Sequence, residues 1–290
     1  MSAARRVVRV RRPGALTTIQ DLGRPGLAHM GVPPSGALDL AAYRLANRLV
    51  GNDEGAAALE TTADGVTLAF EAGAVAAVTG ALAPVLVDGR AAGWGLPLYL
   101  RPGQVLEVGR ALRGIRNYVA VSGGLRVPKV LGSASTDLLS GLGPPPLTVG
   151  QALTVGPATG RSAHVDLAPQ PLPGDYAELL LHAGPRLDWL SEAGRATLGT
   201  GTWSVGPDSN RVALRLAGPA AERSRSDELP SEGLVTGAVQ SLPDGQLLIF
   251  LADHPTTGGY PVVAVVDPSC RSACAQARPG TRITFRWLSK

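Results

Sequence analysis

At 290 residues the chain is long enough for one large or two medium domains. With 44% hydrophobic but only 4% aromatic residues, its core must be filled mainly by Val, Leu, Ile and Ala. The 37 glycines and 24 prolines argue against long helices and for many short elements joined by turns. The net charge of +4 rests on arginine, Lys129 and Lys290 being the only lysines; no aromatic residues interleave with the arginines near the start, which argues against a nucleic-acid arm. Cys270 and Cys274 are too few for a disulfide framework and have no nearby His or Cys to complete a zinc site. No apolar stretch reaches membrane-spanning length, and no apolar signal core follows the N-terminal charges. A soluble cytoplasmic protein with no membrane or nucleic-acid partner is expected.

In chain order, Arg5–Val10 reads as a strand with a solvated arginine face. Leu16–Gly26, polar and without periodicity, reads as a loop. Ser35 is a candidate cap for a helix from Ala37 to Val50, with Leu38, Ala42, Leu45 and Leu49 on one face, Asp39 near its start and Gly51 ending it. Strands are expected at 66–70, 75–79, 85–87, 96–100, 105–108 and 115–121, a spacing that points to a barrel or sandwich. A short helix is expected to start at Ser135, carry Leu138 and Leu139 and stop at Gly141 before three prolines.

The Pro- and Gly-rich stretch 157–175 reads as a linker between a domain over 1–165 and another over 176–290. Beyond it, strands are expected at 178–181, 212–216, 234–240, 247–251, 262–266 and 282–287, with a helix from Leu187 to Leu198. The fold class is therefore mostly β with a few short helices, in two similar domains.

The segment Leu247–Val266 carries the most chemistry. Two apolar runs of strand length flank Asp253-His254-Pro255-Thr256-Thr257-Gly258-Gly259-Tyr260, so charge, a titratable ring and hydroxyls would sit at the end of a sheet. Gly258 and Gly259 permit positive φ or close backbone approach to a ligand. The alternative is a hairpin whose polar groups satisfy its own backbone. Further loops of similar character are expected at 20–26, Glu60-Thr61-Thr62, Thr79-Gly80-Ala81, Ser122-Gly123-Gly124, Ser209-Asn210-Arg211 and Ser231-Glu232-Gly233, with Gln240 nearby. There is no phosphate-binding Gly-x-x-x-x-Gly-Lys-Ser/Thr, His-Glu-x-x-His or Gly-x-Ser-x-Gly motif, which excludes a self-contained P-loop ATPase.

The runs Thr17-Thr-Ile-Gln-Asp-Leu-Gly-Arg-Pro-Gly26, Gly31-Val-Pro-Pro-Ser-Gly-Ala-Leu-Asp39 and Ala46-Asn-Arg-Leu-Val-Gly-Asn52 come first. Tyr118–Gly124, Leu131–Leu139, Ser231–Gly233 and Ala252–Tyr260 follow in order. Together they resemble the family of C-type 5-oxoprolinase components, also called allophanate hydrolase subunit 2 or KipA-like, which is related to biotin-dependent carboxyltransferases. The resemblance spans nearly the whole chain. One departure is Val212-Ala213, where Met-Gly or Val-Gly would be expected after Arg211.

The resemblance implies cyclophilin-like β-barrel units and an ATP-dependent 5-oxoprolinase, active only with a B-type (KipI-like) protein and an A-type hydrolase in a hetero-oligomer. On that reading 5-oxoproline (pyroglutamate) is opened to L-glutamate after phosphorylation of its carbonyl. Arg24 or Arg211 would contact anionic oxygens, and amides near Gly258 and Gly259 would form a phosphate nest. Asp253 would hold Mg²⁺ or orient the ring N–H, and His254 would shuttle a proton. Gln240, Ser231, Thr256, Thr257 and Tyr260 complete the expected site. ATP with Mg²⁺ is the expected cofactor, held here or by a partner protein.

Bland alternatives stand beside these roles. Arg24 would pair with Asp21, Asp39 would be a helix-terminal charge, Glu60 an exposed arginine partner and Gln240 a tie between loops. His29, His164 and His182 would be structural. Two other functions are carried: carboxyl transfer from carboxybiotin to urea or a related amide, and KipA-like antagonism of a kinase inhibitor. Biotin is not expected on this chain, since Lys129 follows Pro128 and not Met.

Overall fold

The computed structural model describes residues 6–160, 162–163 and 167–288; Arg5, at the start of the first expected strand, His164 and Lys290 lie outside the described residues. The chain forms two compact units. The first takes in the chain up to Arg24, Asp39–Thr136 and Gly141–Pro173, and the second Pro25–Leu38, Asp137–Ser140 and the chain from Gly174 onward.

The first unit is two antiparallel sheets. One has six strands, ordered Ala152–Val155, Arg6–Arg12, Val66–Phe70, Val105–Val108, Val85–Val87 and Arg90–Ala91. The other has five, ordered Leu16–Gln20, Ala58–Thr62, Arg113–Val121, Ala74–Leu82 and Pro97–Leu100. Alternation places Val8, Val10, Leu68, Phe70, Leu106 and Val108 of one sheet in a common core with Leu59, Val78, Val119 and Val121 of the other.

Three segments read as loops from their polarity, 16–26, 60–62 and 79–81, instead run into strands Leu16–Gln20, Ala58–Thr62 and Ala74–Leu82. Their hydroxyls are bonded inside the unit: Thr17 Oγ1 donates to Thr61 Oγ1 (2.8 Å) and Thr79 Oγ1 to the Ala42 carbonyl (2.7 Å). A polar side chain whose partner is a neighbouring strand is buried at little cost.

The first helix is Leu40–Leu49, and its cap is Asp39, not Ser35: the Asp39 carboxylate accepts from the Ala42 amide at 3.2 Å. Its buried face is Ala42, Tyr43, Ala46, Asn47 and Leu49, so Leu45 stands partly outside it. Tyr43 and Asn47 both donate to the Ala56 carbonyl (2.7 and 2.9 Å), which fixes the helix against the chain that follows it.

No helix forms at 135–140. The Ser135 hydroxyl donates to Asp21 (2.6 Å), and Asp137 captures the amides of Leu139 (2.9 Å) and Ser140 (3.2 Å), closing a turn in place of a helical ladder. Glu60 is not exposed; it is 1% accessible and accepts from the Tyr118 hydroxyl at 2.8 Å, with Arg116 at 3.8 Å. Burial, followed by the nearby Glu60 and Asp39 charges, holds the Tyr118 phenol well above its ordinary pKa. In the described part of 157–175, Ala168 donates to the Gly95 carbonyl and Gln170 accepts from the Gly80 amide, bonding this stretch to the first unit.

The second unit is a closed seven-stranded barrel in the order Tyr176–Ala183, Val262–Val266, Ala238–Ser241, Leu247–Phe250, Ala213–Ala217, Thr202–Val205 and Arg282–Trp287. An odd ring of strands cannot close with antiparallel neighbours alone. The parallel pair Tyr176–Ala183 with Arg282–Trp287, in register from Tyr176↔Arg282 to Leu181↔Trp287, closes it. The barrel is filled by residues such as Leu179, Leu181, Trp203, Leu214, Ile249 and Val263.

The expected strand 234–240 shortens to Ala238–Ser241, because Gly237 takes φ 91° and Val235 to Ala238 turns. The helix expected at 187–198 becomes a single 3-10 turn, Leu187–Trp189, followed by Glu192–Thr200, which Ser191 caps through the Gly194 amide (3.0 Å). Among the described residues no helix is long and apolar enough to cross a membrane.

Candidate functional site

Strands Leu247–Phe250 and Val262–Val266 hold the two ends of the 251–261 loop, as their apolar runs imply. They are not hairpin partners, because Ala238–Ser241 lies between them and pairs with both. The loop therefore bridges over one intervening strand at a barrel end. A bulge between Val239 and Gln240 breaks the register with the 262–266 strand at that point. The Gln240 amide Nε2 donates to the Tyr260 carbonyl at 2.8 Å, so this side chain, 2% exposed, ties the loop down.

Asp253 is fully buried and surrounded by donors. Arg211 grips it bidentately, Nε to Oδ2 and Nη2 to Oδ1, both at 2.9 Å. The Ser35 hydroxyl (2.8 Å) and the Leu138 amide (3.2 Å) complete the shell. Arg211, 1% exposed, also donates to the Gly36 carbonyl at 2.7 Å. The expected role of Arg211 as an open anion receptor does not fit this geometry, since its fork is closed on a carboxylate. Asp253 likewise does not fit as a Mg²⁺ ligand, because both oxygens already accept from protein donors. Among the described residues, no group of three or more His, Cys, Asp or Glu is placed to hold a metal ion.

His254 is 3% exposed, and its ring Nδ1 lies 2.7 Å from the Pro255 carbonyl. A carbonyl oxygen only accepts, so Nδ1 carries the proton and Nε2 offers a lone pair when the ring is neutral. Burial lowers the imidazole pKa below its ordinary 6.5, with the Pro255 hydrogen bond and the Asp253 and Asp137 charges opposing that shift. The neutral form thus prevails at pH 7.

The expected phosphate nest is absent from the loop. Thr257–Gly258 pairs antiparallel with Glu232–Gly233 as a two-stranded sheet, and neither Gly258 nor Gly259 takes positive φ. Gly258 packs closely instead: a Cβ there would stand 2.9 Å from Gln240 Nε2 and 2.9 Å from Leu234 Cδ1, the ends of two side chains that would have to shift. Glu232 in that sheet is held by Arg186, and that hydrogen bond lowers its pKa.

The open part of the site is the outer half of the loop. Thr256 is half-buried, and Thr257, Gly259, Tyr260 and Ser231 are exposed. Gly259 and Tyr260 line a cavity of about 940 Å³ together with the 222–229 segment, including Arg223 and Arg225. Both guanidinium groups lie over the Trp189 ring, at 5.4 and 5.9 Å from its centre, and Arg225 pairs with Asp188 at 3.2 Å. Glu222, Asp227, Glu228 and Asp244 line the same cavity, so the space beside the anchored loop is polar and of mixed charge, suited to a small polar ligand.

Arg24 belongs to the first unit. Its guanidinium donates to the carbonyls of Val130 and Ser135, while Asp21 accepts from Ser133, Ser135, Ala134 and Gly23. The expected site therefore resolves into a buried Arg211–Asp253 anchor, a Gln240 tie and an open rim of Ser231, Thr256, Thr257 and Tyr260. Ser35, Gly36, Leu138 and the Arg223–Arg225 segment were not foreseen as parts of it. Ser35 and Leu138 do lie within the motif runs Gly31–Asp39 and Leu131–Leu139, which was their only sequence signal.

Comparison with known proteins agrees with this architecture. Residues 30–287 match the family described as carboxyltransferase domain, subdomain A and B. The chain is 37% identical over 284 residues to the C-type 5-oxoprolinase component of Escherichia coli strain K12, covering 96% of this chain and 90% of that protein. It is 32% identical to urea amidolyase of Saccharomyces cerevisiae, covering 97% of this chain but 17% of that much longer protein. The crystal structure of the K. lactis urea amidolyase superposes with a TM-score of 0.92 at 30% identity, over all of this chain and 19% of that one. The chain belongs to the carboxyltransferase domain A and B family and is a homologue of the C-type 5-oxoprolinase component.

Proposed function

We propose that this chain is the C-type component of an ATP-dependent 5-oxoprolinase that opens 5-oxoproline to L-glutamate together with a B-type, KipI-like partner and an A-type hydrolase. The observation that carries the reading is the match along 90% of a free-standing C-type component, against 17% of the longer urea amidolyase.

The chemistry explains why several proteins would be needed. The lactam is a resonance-stabilised amide. Transfer of the ATP γ-phosphoryl group to its carbonyl oxygen, releasing ADP, makes the ring carbon electrophilic. Water then adds to that carbon and the ring C–N bond breaks, giving the free amine and an acyl phosphate; a second water hydrolyses the acyl phosphate to the carboxylate, releasing phosphate. On this chain, the Tyr260, Thr257 and Ser231 hydroxyls hold the substrate's polar edge. Gln240 and the Arg211–Asp253 pair keep the loop in place, and neutral His254 accepts a proton at Nε2. ATP with Mg²⁺ is held by a partner protein, since Asp253 and Arg211 are closed on each other.

A second reading, carboxyl transfer from carboxybiotin to urea or a related amide, draws on the TM-score of 0.92 to the K. lactis urea amidolyase. Biotin would arrive on a separate carrier. Reconstitution of the chain with its B- and A-type partners separates the readings. We expect 5-oxoproline-dependent ATP hydrolysis with glutamate formed, and loss of turnover on Tyr260→Phe or Thr257→Ala with partner binding retained. Failure of the full mixture to form glutamate overturns the proposal. In that event, activity with carboxybiotin selects the second reading, and partner binding without either activity selects KipA-like regulation.

A further inference from the structure

The first unit contains a cavity of about 520 Å³ between the Gly123–Gly124 turn, Asn52–Asp53 and the 126–129 segment. Its frame is rigid. The Gly123 amide donates to Asn52 Oδ1 (2.8 Å), while Asn52 Nδ2 donates to Asn47 Oδ1 and the Val121 carbonyl (both 3.0 Å). Gly123 takes φ 101°, and a Cβ on it would stand 2.3 Å from the Gly156 carbonyl oxygen, so the turn admits no other residue without movement.

The charges on this frame are unequal in availability. Asp21 lines the cavity, but four donors at 2.5 to 2.8 Å already cover its oxygens. Asp53 is exposed. Arg126 and Lys129 also line the cavity, and among the described residues neither is in an ion pair. Arg126 is packed against bare backbone: a Cβ on Gly156 would stand 2.5 Å from its Nε.

A third cation stands behind the wall. Arg24, 2% exposed, donates to the carbonyls of Val130 and Ser135, the residues that follow the lining Lys129 and Ala134. Its Nη1 is buried with no hydrogen-bond partner among the described residues. An unpaired buried guanidinium nitrogen is costly unless something else offsets it, and an anion beside it does so.

We propose that this cavity binds a small oxyanion, a carboxylate or a phosphate, with Arg126 and Lys129 contacting it and Arg24 supplying positive potential from behind. The site lies wholly in the first unit and does not rest on the oxoprolinase reading. Two acids and three cations leave a net positive field, and a rigid frame lowers the ordering cost of binding.

Calorimetric titration of the purified full chain at low salt tests this, with inorganic phosphate in one arm and sodium glutamate in the other. Saturable binding of either anion is expected, the better ligand identifying the source. Arg126→Gln and Lys129→Gln should each weaken it about tenfold, as loss of one charge-assisted contact does. The double variant should abolish it, while Arg90→Gln, on an exposed strand, should leave it unchanged. Both lining cations are exposed, so the variants should melt like the parent. Absence of saturable binding in both arms, or wild-type affinity in the double variant, overturns the proposal.

Discussion

Each unit contains a knot of hydrogen bonds around a buried aspartate, and the two are held in different ways. Asp21, 5% exposed, is solvated by neutral dipoles: two serine hydroxyls and two backbone amides. Asp253, 0% exposed, has a counter-charge in Arg211 and only one hydroxyl and one amide besides. In the first knot every donor is neutral, so loss of the carboxylate strands dipoles and no ion. In the second, each ion is the main reason the other is tolerated in the interior. The two carboxylates sit in motif runs of similar appearance, yet they should fail in different ways.

The largest effect is expected at the charged knot. Asp253→Ala leaves Arg211 buried without its counter-charge and should lower unfolding stability by about 3–5 kcal/mol, read from urea denaturation. Replacing both partners, Arg211→Met with Asp253→Leu, should recover much of that loss because no charge is then stranded. If the double variant is as unstable as the single, the pair is not what distinguishes this knot.

Asp21→Ala should cost less, about 2 kcal/mol, since it removes hydrogen bonds to a charged acceptor without stranding an ion. The same urea titration ranks the two. An Asp21 loss exceeding that of Asp253 would reverse the comparison.

The smallest effect concerns pH. The folded-state pKa of His254 lies below its ordinary 6.5, so its stabilising contribution is present above that value. It is lost as pH falls through the depressed folded pKa, because protons then bind the unfolded chain more readily. His254→Gln should flatten the stability profile in that window, measured by thermal melts between neutral and mildly acidic pH. An unchanged slope would mean that another group carries it.

Much of the fold was legible in the residues. The apolar runs at 66–70, 85–87, 105–108, 262–266 and 282–287 are strands because alternation or short continuous apolarity has few other solutions. Gly51 ends the first helix, with φ 72°. The misread segments share one cause. Thr17, Thr61, Thr79 and Glu60 look like surface chemistry in a linear reading, but each finds a partner across the sheet or on the helix. Ser35 looked like a helix cap and instead bonds a carboxylate 218 residues away. Residue types singled out the 253–260 loop as the candidate site. They could not distinguish the closed groups, Arg211 and Asp253, from the open ones, Thr257 and Tyr260, because exposure is a property of the neighbours.

The sequence by itself determined the β-rich class, most strand positions and the family, because local periodicity, turn residues and ordered motifs are properties of short segments. Tertiary structure alone decided which polar groups are occupied and which remain open. A buried carboxylate is stable only with donors, and those of Asp253 come from positions 35, 138 and 211, brought together by the second unit's fold.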